Sequence, residues 1–154
     1  AAVVERLEGM AQRMGVRLVF RPGSHRRLRV DRARIDRAVH NVVRNAIEAV
    51  GTVGTVGTVG AGGRVEVVTR DDPHSTVIVV DDDGPGIAPA DRERVFELFF
   101  TRKRGSGGTG LGLPLAQRAV ESHGGEIEVL ERPGGGARFV IHLPLGDDDA
   151  RAGA

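Results

Sequence analysis

Three polar side chains recur at the spacing of one helical face within an otherwise apolar segment. Asn41, Asn45 and Glu48 stand at i, i+4 and i+7, which places them on one side of a helix. Oxygen donors on such a stripe could bind a hard cation such as Mg²⁺, which takes few protein ligands and leaves its other positions to phosphate and water. Taken alone, the stripe is more typical of a polar helix surface that faces solvent.

A second candidate, DDDGPGI at residues 81–87, follows the fully apolar stretch VIVV. A carboxylate at the end of this strand would point into a pocket, and Gly84 and Gly86 would let a planar ring approach the backbone. A carboxylate that accepts a hydrogen bond from an exocyclic amine contributes roughly 1.5–3 kcal/mol. Asp, Gly and Pro are also standard turn residues, and a turn is the favoured interpretation of this motif by itself.

A glycine-rich segment, GSGGTGLGLPL, spans residues 105–115. Successive glycines that open a helix turn backbone N–H groups toward phosphate, and this interpretation is favoured over a flexible loop. Three of the glycines match G-x-G-x-x-G, but no strand precedes them, which excludes the dinucleotide-binding motif. The single lysine of the chain, Lys103, follows Arg102 rather than glycine, which excludes a P-loop.

The segment VFELFFTRKR, at residues 95–104, holds three of the five phenylalanines. Aromatic anchors followed by Arg102, Lys103 and Arg104 suggest a lid whose cations reach toward an anionic ligand. A core helix followed by a solvated basic loop is an equally good interpretation.

The composition excludes several other kinds of site. The chain of 154 residues has no cysteine, so disulfides and thiolate metal sites are excluded. A formal net charge of +1 and the absence of Trp and Tyr argue against binding to nucleic acid. No apolar run approaches the roughly 18 residues of a membrane span, so we expect a soluble domain without direct membrane contact.

Hydrophobic periodicity and turn residues predict the elements that must position these motifs. The predicted helices are 3–14, 31–50, 91–98 and 113–122, and the predicted strands are 16–20, 27–30, 64–70, 75–82, 126–131 and 137–143. This order predicts an α/β sandwich of the α+β class, with helices on one face of a mixed sheet. The domain would span residues 15–146, after a first helix or linker end at 1–14 and before a frayed tail at 147–154. Residues 51–63, a Gly-Thr-Val repeat, would be a flexible insertion.

The four motifs, taken in order, resemble the catalytic ATP-binding domain of bacterial sensor histidine kinases, in the GHKL superfamily. NVVRNAIEA at 41–49 resembles the N box, and DDGPGI at 82–87 resembles the first glycine box. FELFF at 96–100 resembles the F box, and GTGLGL at 108–113 the second glycine box. The string FFTRK is most similar to nitrogen-regulatory kinases. The resemblance implies a Bergerat fold, in which about five strands of mixed direction are covered by three helices and ATP lies between them.

The resemblance also assigns roles to single residues. Asp82 would receive the adenine amine, Asn45 would bind Mg²⁺ and Asn41 would help to position the phosphates. Residues 88–107 would form the ATP lid. The other implied nucleotide-binding residues are Gly84, Gly86, Ile87, Phe99, Lys103, Gly108, Thr109, Gly110, Leu111, Gly112 and Leu113. Many kinases of this type have lysine at the position of Glu48, so Lys103 or Arg102 would supply the catalytic cation instead.

Kinases of this type transfer the γ-phosphoryl group of ATP to a histidine on a separate helical dimerisation and phosphoacceptor domain. A response regulator receiver domain would be an indirect partner. The resemblance also implies a cytoplasmic location, either as a separate protein or as the cytoplasmic part of a membrane-bound sensor kinase. The alternatives are another GHKL enzyme, either an anti-sigma serine kinase or a hydrolytic ATPase, and a pseudokinase that serves as an interaction module. The hydrolytic relatives have glutamate at position 41 to activate water, and Asn41 is a poor general base.

Lys103→Ala is expected to lower the rate of phosphoryl transfer more than the affinity for ATP, because the cation matters chiefly in the transition state. Calorimetry with Mg-ATP measures the affinity, and acid-labile phosphate on a histidine domain measures transfer. Equal losses in the two measurements would contradict this role.

Overall fold

The computed structural model describes residues 1–51, 62–101 and 109–145. Within these ranges there are three α-helices: α1 (Ala2–Arg13), α2 (Arg32–Gly51) and α3 (Gly112–Glu121). The five strands are β1 (Arg17–Arg21), β2 (Arg64–Asp72), β3 (Ser75–Asp82), β4 (Glu126–Glu131) and β5 (Ala137–Pro144). Most of the predicted insertion, the predicted tail, and Arg102, Lys103 and Gly108 lie outside the described residues.

The strands form one mixed sheet in the order β1-β2-β3-β5-β4, which confirms the predicted sheet. β1 and β2 are parallel because α2 connects them as a crossover, whereas every other neighbouring pair is antiparallel. The hairpin of β4 and β5 was predicted within one residue of its observed bounds. None of the helices in the described ranges combines the length and the apolar character that a membrane crossing requires.

The long helix α2 forms the centre of the core. Its buried side chains recur every three or four residues and are Ile35, Ala38, Val39, Val42, Val43, Ala46, Ile47 and Val50. This face packs on the sheet, in one cluster with buried strand residues such as Val65, Val80 and Phe139. Asn41, Asn45 and Glu48 are only half-buried, because they lie on the flank of the apolar face.

The predicted strand at residues 27–30 is wrong, since this segment has no strand structure. The chain just before it is tied to the end of β2 by side chains instead. The Ser24 hydroxyl donates to Asp71 Oδ1 at 2.5 Å, and the backbone N–H of His25 donates to Asp71 Oδ2 at 3.2 Å. These bonds hold the pKa of Asp71 below its usual value, with the Ser24 bond as the largest cause. Local side-chain hydrogen bonds of this kind compete with a strand ladder.

The predicted helix at residues 91–98 is also wrong, because the segment forms two short 3₁₀ turns, Pro89–Asp91 and Arg94–Phe96. The chain then turns at Phe99, which has φ of +63°. The backbone N–H of Phe99 donates to the carbonyl of Gly110 at 3.0 Å, and this contact anchors the end of the segment.

The turn between β4 and β5 lies against the end of β3. Gly134 and Gly136 both have positive φ, at 91° and 102°. A Cβ at Gly136 would lie 1.9 Å from the carbonyl oxygen of Asp82, whereas a Cβ at Gly134 would meet no atom of the described residues within 4 Å. The missing side chain at Gly136 therefore allows the turn to approach β3.

Gly136→Ala is expected to destabilise the protein more than Gly134→Ala. Both variants place a side chain at positive φ, which costs about 1–2 kcal/mol. Only Gly136→Ala adds a steric overlap, which costs a further ~1–3 kcal/mol. Urea unfolding measures both free energies. Equal losses in the two variants would contradict the close approach.

Candidate functional site

A cavity of about 900 Å³ lies between α2, the start of α3 and the turn that follows β3. The predicted site residues that line it are Asn41, Asn45, Asp82, Gly86, Ile87, Thr109, Gly110, Gly112 and Leu113. Three of the four motifs therefore meet in one place although they are far apart in sequence. The fourth, the phenylalanine-rich segment, contributes Val95 and Phe100.

The Asp82 carboxyl is the most buried acidic group at the cavity, with 2% of its surface exposed. Its Oδ1 accepts hydrogen bonds from the backbone N–H groups of Gly84, at 2.9 Å, and Ala137, at 3.3 Å. Burial raises the pKa of Asp82, and the two bonds oppose this shift only in part. Within the described residues Oδ2 receives no hydrogen bond, so this oxygen can accept one from a ligand.

The two glycines of the first glycine box have different positions. Gly86 lines the cavity and has φ of +74°. Gly84 does not line it but lies behind the carboxylate, where an added Cβ would be 2.9 Å from Asp82 Oδ1. Gly84 therefore binds the carboxylate through its backbone N–H without lining the cavity, whereas the backbone of Gly86 is accessible from the cavity.

The polar stripe of α2 faces the beginning of α3. Asn41 Nδ2 donates to the carbonyl of Gly112 at 3.1 Å, which links the two helices directly. Asn45 lines the cavity one turn further along. The described residues contain no group of three acidic, histidine or cysteine side chains that could hold a metal ion by themselves. A cation beside the Asn45 amide oxygen would therefore need further oxygen ligands from a bound phosphate and water, which is the coordination that Mg²⁺ favours.

The described part of the second glycine box, residues 109–113, leads into α3. Gly110 has φ of +64°, and an added Cβ there would lie 2.7 Å from the backbone of Phe99. Leu111 is the N-cap residue and does not line the cavity, whereas its neighbours Gly110 and Gly112 do. The structure does not bring Phe99 to the cavity either. Phe99 has a positive φ and is 72% exposed, and Phe100 lines the cavity instead.

Sequence reasoning missed several residues of the cavity wall. Arg44 lines it from α2, and its position next to Asn45 on the same helical stripe could have revealed it. Arg92 lines it as well, and its Nε donates to the carbonyl of Ile87 at 3.3 Å. Ala137 reaches the site only because β5 pairs with β3, and no local sequence signal indicates this contact.

Asp82→Asn is expected to leave the ligand-free protein at least as stable at pH 7. Because burial raises the pKa of Asp82, the native state holds this proton more tightly than the unfolded chain. The stability that the carboxyl contributes is therefore greatest at low pH and is lost as the pH rises through the native pKa. An asparagine can still accept both backbone hydrogen bonds.

Unfolding measured from about pH 4 to pH 7 should show the variant gaining stability relative to the unmodified chain as the pH rises. Asp81→Asn is the control, because it weakens two 2.7 Å hydrogen bonds from Arg138 and is expected to destabilise at pH 7. A difference for Asp82→Asn that does not change with pH would contradict the raised pKa.

Comparisons with known proteins identify the family of this chain. Residues 30–147 match the family described as histidine kinase-, DNA gyrase B-, and HSP90-like ATPase. The sensor histidine kinase CpxA of Escherichia coli K12 is 39% identical over 115 residues, which cover 72% of this chain and 23% of CpxA. The chain thus spans about a quarter of the length of that relative.

Two solved structures are also similar. The catalytic domain of histidine kinase ThkA has a TM-score of 0.78 and 30% identity, over 93% of this chain and 88% of that one. Full-length ShkA in complex with AMPPNP has a TM-score of 0.77 and 26% identity, over 93% of this chain and 28% of that one. The chain therefore belongs to the histidine kinase-, DNA gyrase B- and HSP90-like ATPase family and is homologous to the catalytic ATP-binding domains of sensor histidine kinases.

Proposed function

We propose that this domain binds Mg-ATP and donates the γ-phosphoryl group to a histidine on a separate helical dimerisation and phosphoacceptor domain. The single observation that carries the proposal is the position of Asp82, a buried carboxylate with one oxygen open to a cavity that the N box and both glycine boxes line. A carboxylate in this setting selects a ligand with a hydrogen-bond donor, such as the exocyclic amine of adenine.

The walls around Asp82 suit a planar ring. Ile87 supplies apolar surface, the buried residues Ala137 and Phe139 lie behind it in the cavity wall, and Gly86 adds backbone without a side chain. The structure of the homologue ShkA contains AMPPNP, an ATP analogue, which supports adenine nucleotide as the ligand of this cavity.

The opposite end of the cavity suits the phosphates. The first turn of α3 presents backbone N–H groups and the positive end of the helix dipole toward the cavity. The amide oxygen of Asn45 fits a magnesium ion that also binds phosphate oxygens. When bound, the ion would neutralise phosphate charge, and Asn41 would keep α2 and α3 at the right separation through its bond to Gly112.

The reaction needs little covalent chemistry from the protein. The bond from the γ-phosphorus to the bridging oxygen breaks, a phosphorus–nitrogen bond to the acceptor imidazole forms, and ADP leaves. Positioning and charge neutralisation supply most of the rate in such reactions. Asn41 does not titrate usefully and cannot activate water as a carboxylate would, which favours transfer to an acceptor over hydrolysis.

The partners follow from the same proposal. The relatives are longer than this chain, and the acceptor histidine would lie on a helical domain outside the 154 residues. ThkA is also known in complex with the response regulator protein TrrA, which supports a receiver domain as the later acceptor of the phosphoryl group.

Asn45→Ala is expected to lower the affinity for ATP in the presence of Mg²⁺ by about tenfold. Its affinity should then no longer depend on Mg²⁺, because the protein ligand of the ion is gone. Calorimetric titrations with and without EDTA measure both effects. In the unmodified protein, adding a helical histidine domain should yield acid-labile phosphate on that domain.

Two outcomes would contradict the proposal. If the unmodified protein shows no Mg²⁺-dependent nucleotide binding, the domain is an interaction module rather than a kinase domain. If the protein alone hydrolyses ATP rapidly and Asn41→Ala abolishes the activity, it is a hydrolytic ATPase.

A further inference from the structure

Among the described residues that line the cavity, Arg44 is the positively charged residue next to Asn45, the proposed magnesium ligand. We propose that Arg44 contacts the terminal phosphates of the bound nucleotide and that Glu48 holds its guanidinium in place for this contact. This inference rests on the proposed function, and it assigns the phosphate-binding charge to a residue of the 41–49 segment to which the family resemblance gives no role.

The geometry of α2 supports the assignment. Arg44 Nε donates to Glu48 Oε1 at 2.8 Å, and both side chains line the cavity. This bond engages one edge of the guanidinium. Within the described residues the two terminal nitrogens have no hydrogen-bond partner, so they can donate together to phosphate oxygens, as arginine does in bidentate contacts. The Arg44 side chain is 56% exposed, which leaves it accessible to a ligand.

The charges of Glu48 and Arg44 also favour a contact between Arg44 and phosphate. Without a neighbouring cation, the Glu48 carboxylate would repel a polyphosphate in the same cavity. The positive charge of Arg44 already acts on its surroundings: burial is the largest cause of the lowered pKa of His40, and Arg44 is the next. Positions 44 and 48 are one helical turn apart on the same side of α2. A cation at position 44 can therefore replace the lysine that similar kinases have at position 48.

The other described arginine of the cavity is less suited to this contact. Arg92 Nε donates to the carbonyl of Ile87, and its Nη2 lies 3.9 Å from Glu131 Oε2. Arg92 is thus committed to the wall beside the first glycine box, at the adenine end of the cavity. Arg44 lies beside Asn41 and Asn45, at the phosphate end.

The test compares the affinities for Mg-ATP and for adenosine, which lacks the phosphates. For Arg44→Gln we expect the affinity for Mg-ATP to fall about tenfold or more, while the affinity for adenosine changes by less than about threefold. Arg32→Gln is the matched control. It removes another i, i+4 pair of the same helix, with Asp36 at 3.9 Å, outside the cavity, and should leave both affinities unchanged.

The double variant Arg44→Gln/Glu48→Lys returns a cation to the same side of α2. We expect its affinity for Mg-ATP to be within about threefold of that of the unmodified protein. Equal ATP affinity in Arg44→Gln and the unmodified protein, equal losses for ATP and adenosine, or a double variant as weak as Arg44→Gln would each overturn the inference. If the unmodified protein binds no Mg-ATP, the proposed function itself fails, so the two failures are distinguishable.

Discussion

A carboxyl group that is 2% exposed at the end of a central strand must be held by hydrogen bonds, and around Asp82 this requirement fixes three separate segments of the chain. The N–H of Gly84 folds the loop after β3 back onto the carboxylate. The N–H of Ala137 joins β5 to the same oxygen. Gly136, next to it, can approach only because it lacks a side chain. The sheet, the glycine loop and the hairpin turn therefore depend on one another at this point.

The spacing of α2 and α3 sets the other side of the cavity, and polar contacts fix it at both ends. At one end Asn41 donates to the carbonyl of Gly112. At the other, the backbone N–H of Asp31 donates to His123 Nε2 at 3.0 Å, while His123 Nδ1 lies 2.6 Å from the carbonyl oxygen of Ala119. An imidazole with its proton on Nδ1 satisfies both contacts. The cavity begins at the contact between Asn41 and Gly112 and extends along α2 as far as Ala49, beside a helix pair that is fixed at both ends of α3.

Much of this architecture could be predicted from the sequence because its signals are local. The apolar face of α2, the buried strand β3 and the glycines before α3 each follow from periodicity or from backbone freedom. The wrong predictions concern segments whose conformation depends on residues that are distant in sequence. Residues 27–30 are no strand because Asp71, on β2, binds the chain just before them. Phe100 rather than Phe99 lines the cavity because Gly110, which is distant from Phe99 in sequence, binds and packs against the backbone of Phe99.

The central claim is that the Asp82 carboxylate selects adenine through its exocyclic amine. The most direct measurement compares the affinities of ADP and of purine riboside diphosphate, which lacks only that amine, for the unmodified protein and for Asp82→Asn. The account predicts that the unmodified protein prefers ADP by roughly tenfold or more, and that most of this preference is lost in the variant. The same preference for ADP in both proteins would contradict it.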